Sequence, residues 1–122
     1  MAKELHPVIS ARIFGARRCF GPGVAELLRR VDTHRSLRAA AQSMEMAYSK
    51  AWTITKTAEA ELGFKLLSSS TGGKNGGGAA LTDDARRLLD AYDAYCAELR
   101  AFGERLFAEK FPFLAETEGR DA

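Results

Sequence analysis

Five glycines occupy the seven positions from Gly72 to Gly78 within SSSTGGKNGGGAA, residues 68–80. No helix or strand interior holds glycine at that density, because each one gives up more backbone freedom on ordering than any other residue. The segment is therefore either a linker between domains or a loop inside one. The chain has 122 residues, and the part after the glycines is only about 40 residues, too short to fold alone. A loop is the better reading. The remaining sequence must then assemble around it as one domain, and 46% hydrophobic with 28% charged residues is the composition of a globular chain.

No apolar run approaches the roughly 18 residues that span a bilayer. The start, MAKELHPVIS, lacks the apolar core and cleavage site of a secretory leader. Cys19 and Cys96 stand far apart without a framework, as free thiols do in a reducing compartment. A cytoplasmic protein is expected, without a membrane partner. Charge is unevenly spread: residues 1–76 carry 12 Lys/Arg against 6 Asp/Glu, and residues 77–122 carry 6 against 10. That asymmetry either suits a polyanion partner at the front or is scatter of solvated charges.

Before the loop the patterning predicts a strand and three helices. Residues 8–18, VISARIFGARR, place Ile9, Ala11 and Ile13 on one side of a strand. Gly21-Pro22-Gly23 ends it and opens a helix, since proline's fixed φ and missing N–H suit a first turn. Val24, Leu27, Leu28 and Val31 carry that helix to about His34. Ser36 is placed to cap a short second helix bearing Leu37, Ala40 and Ala41, with Met44 near its end.

The third helix is expected from Ala47 to Leu62, stopped by Gly63. Ala47, Ala51, Ile54, Ala58 and Leu62 share one face, and Ser49, Thr53, Lys56, Thr57 and Ala60 the other. A polar face of hydroxyls and an amine without a carboxylate is either simply solvated or built against bases and phosphates. The connection Met44-Glu45-Met46 makes the second and third helices a helix-turn-helix, with Ala39-Ala40-Ala41 allowing close crossing. FKLLSSS (64–70) and AALT (79–82) flank the glycine loop as strands, so a hairpin, or wing, follows, with Lys74 at its tip.

Thr82 caps a final long helix whose first turn holds Asp83 and Asp84. Leu81, Ala85, Leu88, Tyr92, Tyr95, Leu99, Phe102 and Leu106 recur at alternating intervals of 4 and 3. Such a heptad seam packs either between subunits or on its own domain, and dimerisation is the favoured reading, through Leu88, Tyr92, Tyr95, Leu99, Phe102 and Leu106. The expected partition is a DNA-binding winged unit over 1–82, a dimerisation helix over 83–111 and a tail over 112–122.

FGPGVAELL, SLRAAAQSMEMAYSKAW, ELGFKLL, TGGKNGGGAALT and RRLLDAY together resemble the N-terminal DNA-binding domain of ModE-type molybdate-responsive transcriptional regulators. The pairing of AYSKAW with TGGKNGGGA is the most specific part, and the likeness covers roughly residues 8–107. It implies a winged helix-turn-helix shared with LysR-type regulators, paired through its long C-terminal helix, and a role in molybdenum homeostasis. By that likeness Tyr48, Ser49, Lys50, Trp52 and Thr53 belong to the recognition helix and Thr71 to Gly78 to the wing. Periodicity puts Trp52 on the flank, where a structural role under the helix is expected rather than a base contact.

This chain departs from the family in four places. Ala47 stands where a capping serine is usual, and Ser68-Ser69-Ser70 where acidic and arginine residues precede the wing. His34-Arg35 replaces a glycine before the second helix, and Ala85 replaces one after the wing. Only FPFLAETEGRDA follows Lys110, so a stand-alone form without the molybdate-binding modules is expected.

Other chemistries find little footing. Gly73-Lys74 is followed by Asn75 with no helix start, which is not a phosphate loop. His6, His34 and the cysteines lack ligand spacing and no catalytic grouping is defined, so neither enzyme activity nor a cofactor or metal is expected. The expected function is a homodimeric, sequence-specific regulator on an inverted-repeat DNA operator. Arg35, Arg38, Tyr48, Ser49, Lys50, Thr53, Lys56, Thr57, Thr71, Lys74 and Asn75 are its DNA-contacting set. The alternative is a protein-interaction or metal- or oxyanion-linked module with weakened DNA binding.

Overall fold

In the computed structural model, which describes residues 4–70 and 78–114, proline at the first turn opens helix α1 (Pro22–His34) directly after Gly21. Helix α2 (Leu37–Ser43) follows, capped by the Ser36 hydroxyl, which accepts the Ala39 N–H at 3.0 Å. Helix α3 (Tyr48–Leu62) ends at Gly63, whose φ of 86° is the left-handed conformation glycine adopts without a Cβ clash. At the α1–α2 corner Arg35 takes the same left-handed region with φ 59°. An L side chain in that region costs roughly 1–2 kcal/mol.

The sequence ahead of α1 differs from expectation. Residues 8–18 do not form one strand. Strands β1 (Ile13–Phe14) and β2 (Arg18–Phe20) pair antiparallel as a bulged hairpin. The turn at Gly15 breaks the run because the Glu61 carboxylate reaches it from the end of α3. Oε1 of Glu61 accepts the Ala16 N–H at 2.7 Å and lies where a Cβ on Gly15 would sit. Those bonds, the Ala16 N–H first and the Arg17 side chain next, hold the Glu61 carboxyl below its ordinary pKa.

Residues 11–91 form one compact unit. Phe20, Leu27, Leu28, Val31 and Leu66 are its largest fully buried side chains, each contributing roughly 1.5–3 kcal/mol over exposure. Ala40, Ala41, Ala51 and Ala58 are also buried, so α2 crosses α3 on small residues as the sequence suggested. The buried face of α3 is rotated from the expected one, however. Ala51 and Ala58 are covered, but Thr55 and Glu59 join them, while Ile54 and Leu62 are half-buried and Ala47 is exposed. Thr55 enters the core because its hydroxyl donates to the Ala51 carbonyl at 2.9 Å.

The hairpin of β3 (Leu67–Ser70) and β4 (Gly78–Leu81) keeps the register Leu67 to Leu81 through Ser70 to Gly78. Its strands are shifted from the expected 64–70 and 79–82, because Gly63 and the bonds to Glu59 occupy the chain before Leu67 and Thr82 belongs to the next helix. Thr82 closes the ladder by donating its N–H to the Leu66 carbonyl at 3.0 Å. It then caps α4 (Asp83–Lys110), its Oγ1 accepting the Ala85 N–H at 3.0 Å. The start of α4 is tied to α1 by Arg86 on both Asp32 oxygens, at 2.9 and 3.3 Å, which holds the Asp32 carboxyl below its ordinary pKa.

Described residues 4–10 and 92–114 belong to a second compact unit. Here Gly103 is buried in α4, and the Ile9 side chain fills the space a Cβ would take. Phe107, Phe111 and Phe113 form a ring series with centroids 5.3 and 6.0 Å apart. Along α4 the heptad stripe divides. Leu81, Ala85 and Tyr92 are buried within the chain and Leu88 is half-buried, with Leu89 deeper than Leu88. Beyond them Tyr95 is 59% and Phe102 52% exposed, with Leu99 and Leu106 half-buried between.

Candidate nucleic-acid interface

The connection from α2 to α3 is fixed by backbone bonds at its first residues. Met44 and Met46 donate to the Ala41 carbonyl at 3.0 and 2.9 Å, and Glu45, at φ 54°, donates to Gln42 at 3.0 Å. Arg30 of α1 locks the same corner, its Nη1 donating to the Ser43 carbonyl at 2.7 Å while its Nε pairs with Glu26 at 2.8 Å. The Arg30 hydrogen bond is the main reason the Glu26 carboxyl lies below its ordinary pKa. Ala47 then enters α3 without a side-chain cap, so the first N–H groups of α3 have no side chain from the preceding residue to accept them.

The run from Tyr48 to Thr57 contains no carboxylate. Ser49, Lys50, Thr53 and Lys56 are exposed, and Thr57 is half-buried. Lys50 and Arg38 carry no ion pair among the described residues. Arg38, exposed on α2, places its guanidinium carbon 4.1 Å from the Tyr48 ring centroid, a contact worth about 0.5–1 kcal/mol at an exposed site. Lys56 is partly neutralised, with Nζ 3.4 Å from Glu59 Oε1.

On one flank of α3 lies a groove of about 320 Å³, bounded by Arg38, Tyr48, Trp52 and Lys56 on the helices and by Ser68 and Ser69 on the hairpin. Two links hold the hairpin in place there. The Ala79 N–H donates to the Arg35 carbonyl at 3.0 Å. The Glu59 carboxylate, only 9% exposed, accepts the N–H groups of Leu66 at 2.7 Å and Leu67 at 3.3 Å.

The structure thus brings Arg38, Tyr48 and Lys56 together along that groove, leaves Ser49, Lys50 and Thr53 exposed on the same helix, and leaves Arg35 exposed at the α1–α2 corner with its carbonyl engaged. Thr71, Lys74 and Asn75 fall outside the described residues. Trp52 corrects the sequence reading. It is 48% exposed rather than tucked under the helix, with Lys56 Nζ 5.6 Å from its ring. The signal was available: Trp52 lies only about 60° around the helix from Ser49 and one turn before Lys56.

Among the described residues no group of three or more His, Cys, Asp or Glu is placed to hold a metal ion. Cys19 and Cys96 are free thiols, as expected. No described helix is long and apolar enough to cross a membrane.

No protein-family model matches the chain. Over 72 residues it is 39% identical to the transcriptional regulator ModE of Haemophilus influenzae. The match takes in 59% of this chain and 28% of that regulator, so the chain spans well under a third of the relative's length.

Proposed function

We propose that the chain is a sequence-specific, DNA-binding transcriptional regulator of the ModE type rather than an enzyme, working in the cytoplasm as a homodimer. The observation that carries this reading is the outward face of α3. Ser49, Lys50 and Thr53 stand there without an opposing carboxylate, next to Lys56, which is partly paired with Glu59, and beside a hairpin fastened to the same helix. An α-helix fills a major groove about 12 Å wide, and hydroxyls and amines are the donors that read base edges there. Ser49, Lys50 and Thr53 are the base-contacting residues. Arg38, Lys56 and Arg35 take phosphates, with Tyr48 positioning Arg38 and Thr57 at the edge. Thr71, Lys74 and Asn75, between the two hairpin strands in sequence, complete the proposed DNA-contacting set. Similarity to a transcriptional regulator supports the reading, and a role in molybdenum homeostasis is the finer proposal that the motif resemblance suggests.

Pairing would use the open stretch of α4, Tyr95, Leu99, Phe102 and Leu106, continuing from Leu88 and Tyr92. Large apolar side chains left exposed along one helix stripe are what a partner helix covers. Two-fold pairing requires an inverted-repeat operator, with half-sites about one or two helical turns apart. Selection from a random duplex pool is expected to enrich such repeats, and a pool without an enriched motif contradicts the reading. Tyr95→Asp combined with Phe102→Asp is expected to convert the dimer to single chains in sedimentation, with helix content unchanged. A single-chain mass for the unaltered protein would exclude pairing.

A further inference from the structure

We infer that Arg12 and Arg18 bind a DNA backbone phosphate on the flank of α3 opposite the β3–β4 hairpin. The inference rests on the DNA-binding reading above and extends it to the β1–β2 hairpin. A depression of about 390 Å³ lies between that hairpin and α3, with Arg12 and Arg18 on one side and Thr53 and Thr57 on the other. Thr53 is also on the proposed base-reading face, so the depression opens at the edge of that face.

The three cations in this stretch are used differently. Arg17 is committed to the fold, its Nε 3.2 Å from Glu61 Oε2. Arg18 is exposed and makes no ion pair among the described residues. Arg12 is exposed as well; it has an interaction of its own within the chain, and its stem packs over Gly21, where a Cβ would lie 3.1 Å from Arg12 Cγ. The Ala16 bond to Glu61 fixes the hairpin to the end of α3, so Arg12 and Arg18 are carried in register with the helix.

Groove geometry supplies the ligand. A helix about 10–12 Å across fills a groove about 12 Å wide, and a phosphate strand runs along each edge. The wing-side groove faces one strand. The arginines of the first hairpin face the other, and guanidinium forks match phosphate oxygens. Val24 and Ile54, both half-buried in the lining, give an apolar surface of the kind a deoxyribose covers.

The test uses the full chain, with Arg12→Gln and Arg18→Gln singly and together, against a selected duplex and a random duplex of equal length over a salt series. Each substitution is expected to weaken both duplexes alike, by roughly threefold to tenfold at about 0.15 M salt. The salt slope should fall by about one for each phosphate that is no longer neutralised. Arg18→Lys keeps the charge and should retain most of the slope, which separates phosphate binding from a folding defect. Unchanged affinity and slope in the Gln variants, with the unaltered chain still binding, overturns the inference. A loss confined to the selected duplex overturns it as well, in favour of base reading. If the unaltered chain binds no duplex at all, the DNA reading itself fails, which is a different result.

Discussion

Replacing Glu59 by alanine is expected to destabilise the fold by about 3 kcal/mol, a large part of the 5–15 kcal/mol typical of a domain. The carboxylate sits almost fully buried at the end of α3 and accepts the N–H groups of both Leu66 and Leu67. Leu66 is itself fully buried, so its orphaned donor would find no water. The Lys56 ammonium would also lose its partner. Burial pushes the Glu59 carboxyl up, but the two N–H bonds and Lys56 together outweigh it and hold the pKa below its ordinary value. A carboxyl with a depressed folded-state pKa stabilises the fold above its unfolded value, about 4.3, and that contribution fades as pH falls through the folded value. Urea midpoints should therefore drop with acidification in this window for the unaltered chain and less for Glu59→Gln, in which Glu26, Asp32 and Glu61 still contribute. An alanine variant within about 0.5 kcal/mol of the parent would show that the hairpin is held by something else.

The second large effect concerns recognition. Lys50→Ala is expected to weaken the selected operator by about 1–3 kcal/mol, roughly fivefold to 150-fold, while leaving random duplex nearly unchanged. Lys50 is exposed in the first turn of α3, where recognition helices meet base edges. Arg38→Ala is expected to behave differently. Arg38 stands at the start of α2 over Tyr48, so its loss should weaken every duplex by a similar factor. Competitive binding on the two duplexes separates these outcomes. Equal losses from both changes would contradict the assigned roles.

Much of this architecture was legible because its signals act within one helical turn. Pro22, Ser36, Gly63 and Thr82 each fix a helix end through their own φ or hydroxyl, and all four do so in the structure. What escaped depends on partners far along the chain. The turn at Gly15 is set by Glu61, 45 residues beyond Ala16, and alternation within residues 8–18 carries no trace of it. Glu59 reads as an ordinary surface residue until Leu66 and Leu67 turn their N–H groups towards it. Periodicity also tells which residues share a stripe but not what covers them. Tyr92 and Tyr95 belong to one heptad pattern, yet the first is buried within the chain and the second is open. Trp52 shows the same limit on α3, where periodicity sets it on the flank but does not tell that it is left 48% exposed.

Binding of a labelled duplex to the whole chain, followed over about 50–200 mM salt, addresses the main claim directly. A dimer whose α3 helices and flanking arginines neutralise several phosphates should show log K falling linearly with log salt, with affinity dropping by roughly a thousandfold over that range. No association at the lowest salt, or an affinity indifferent to salt, would contradict the account.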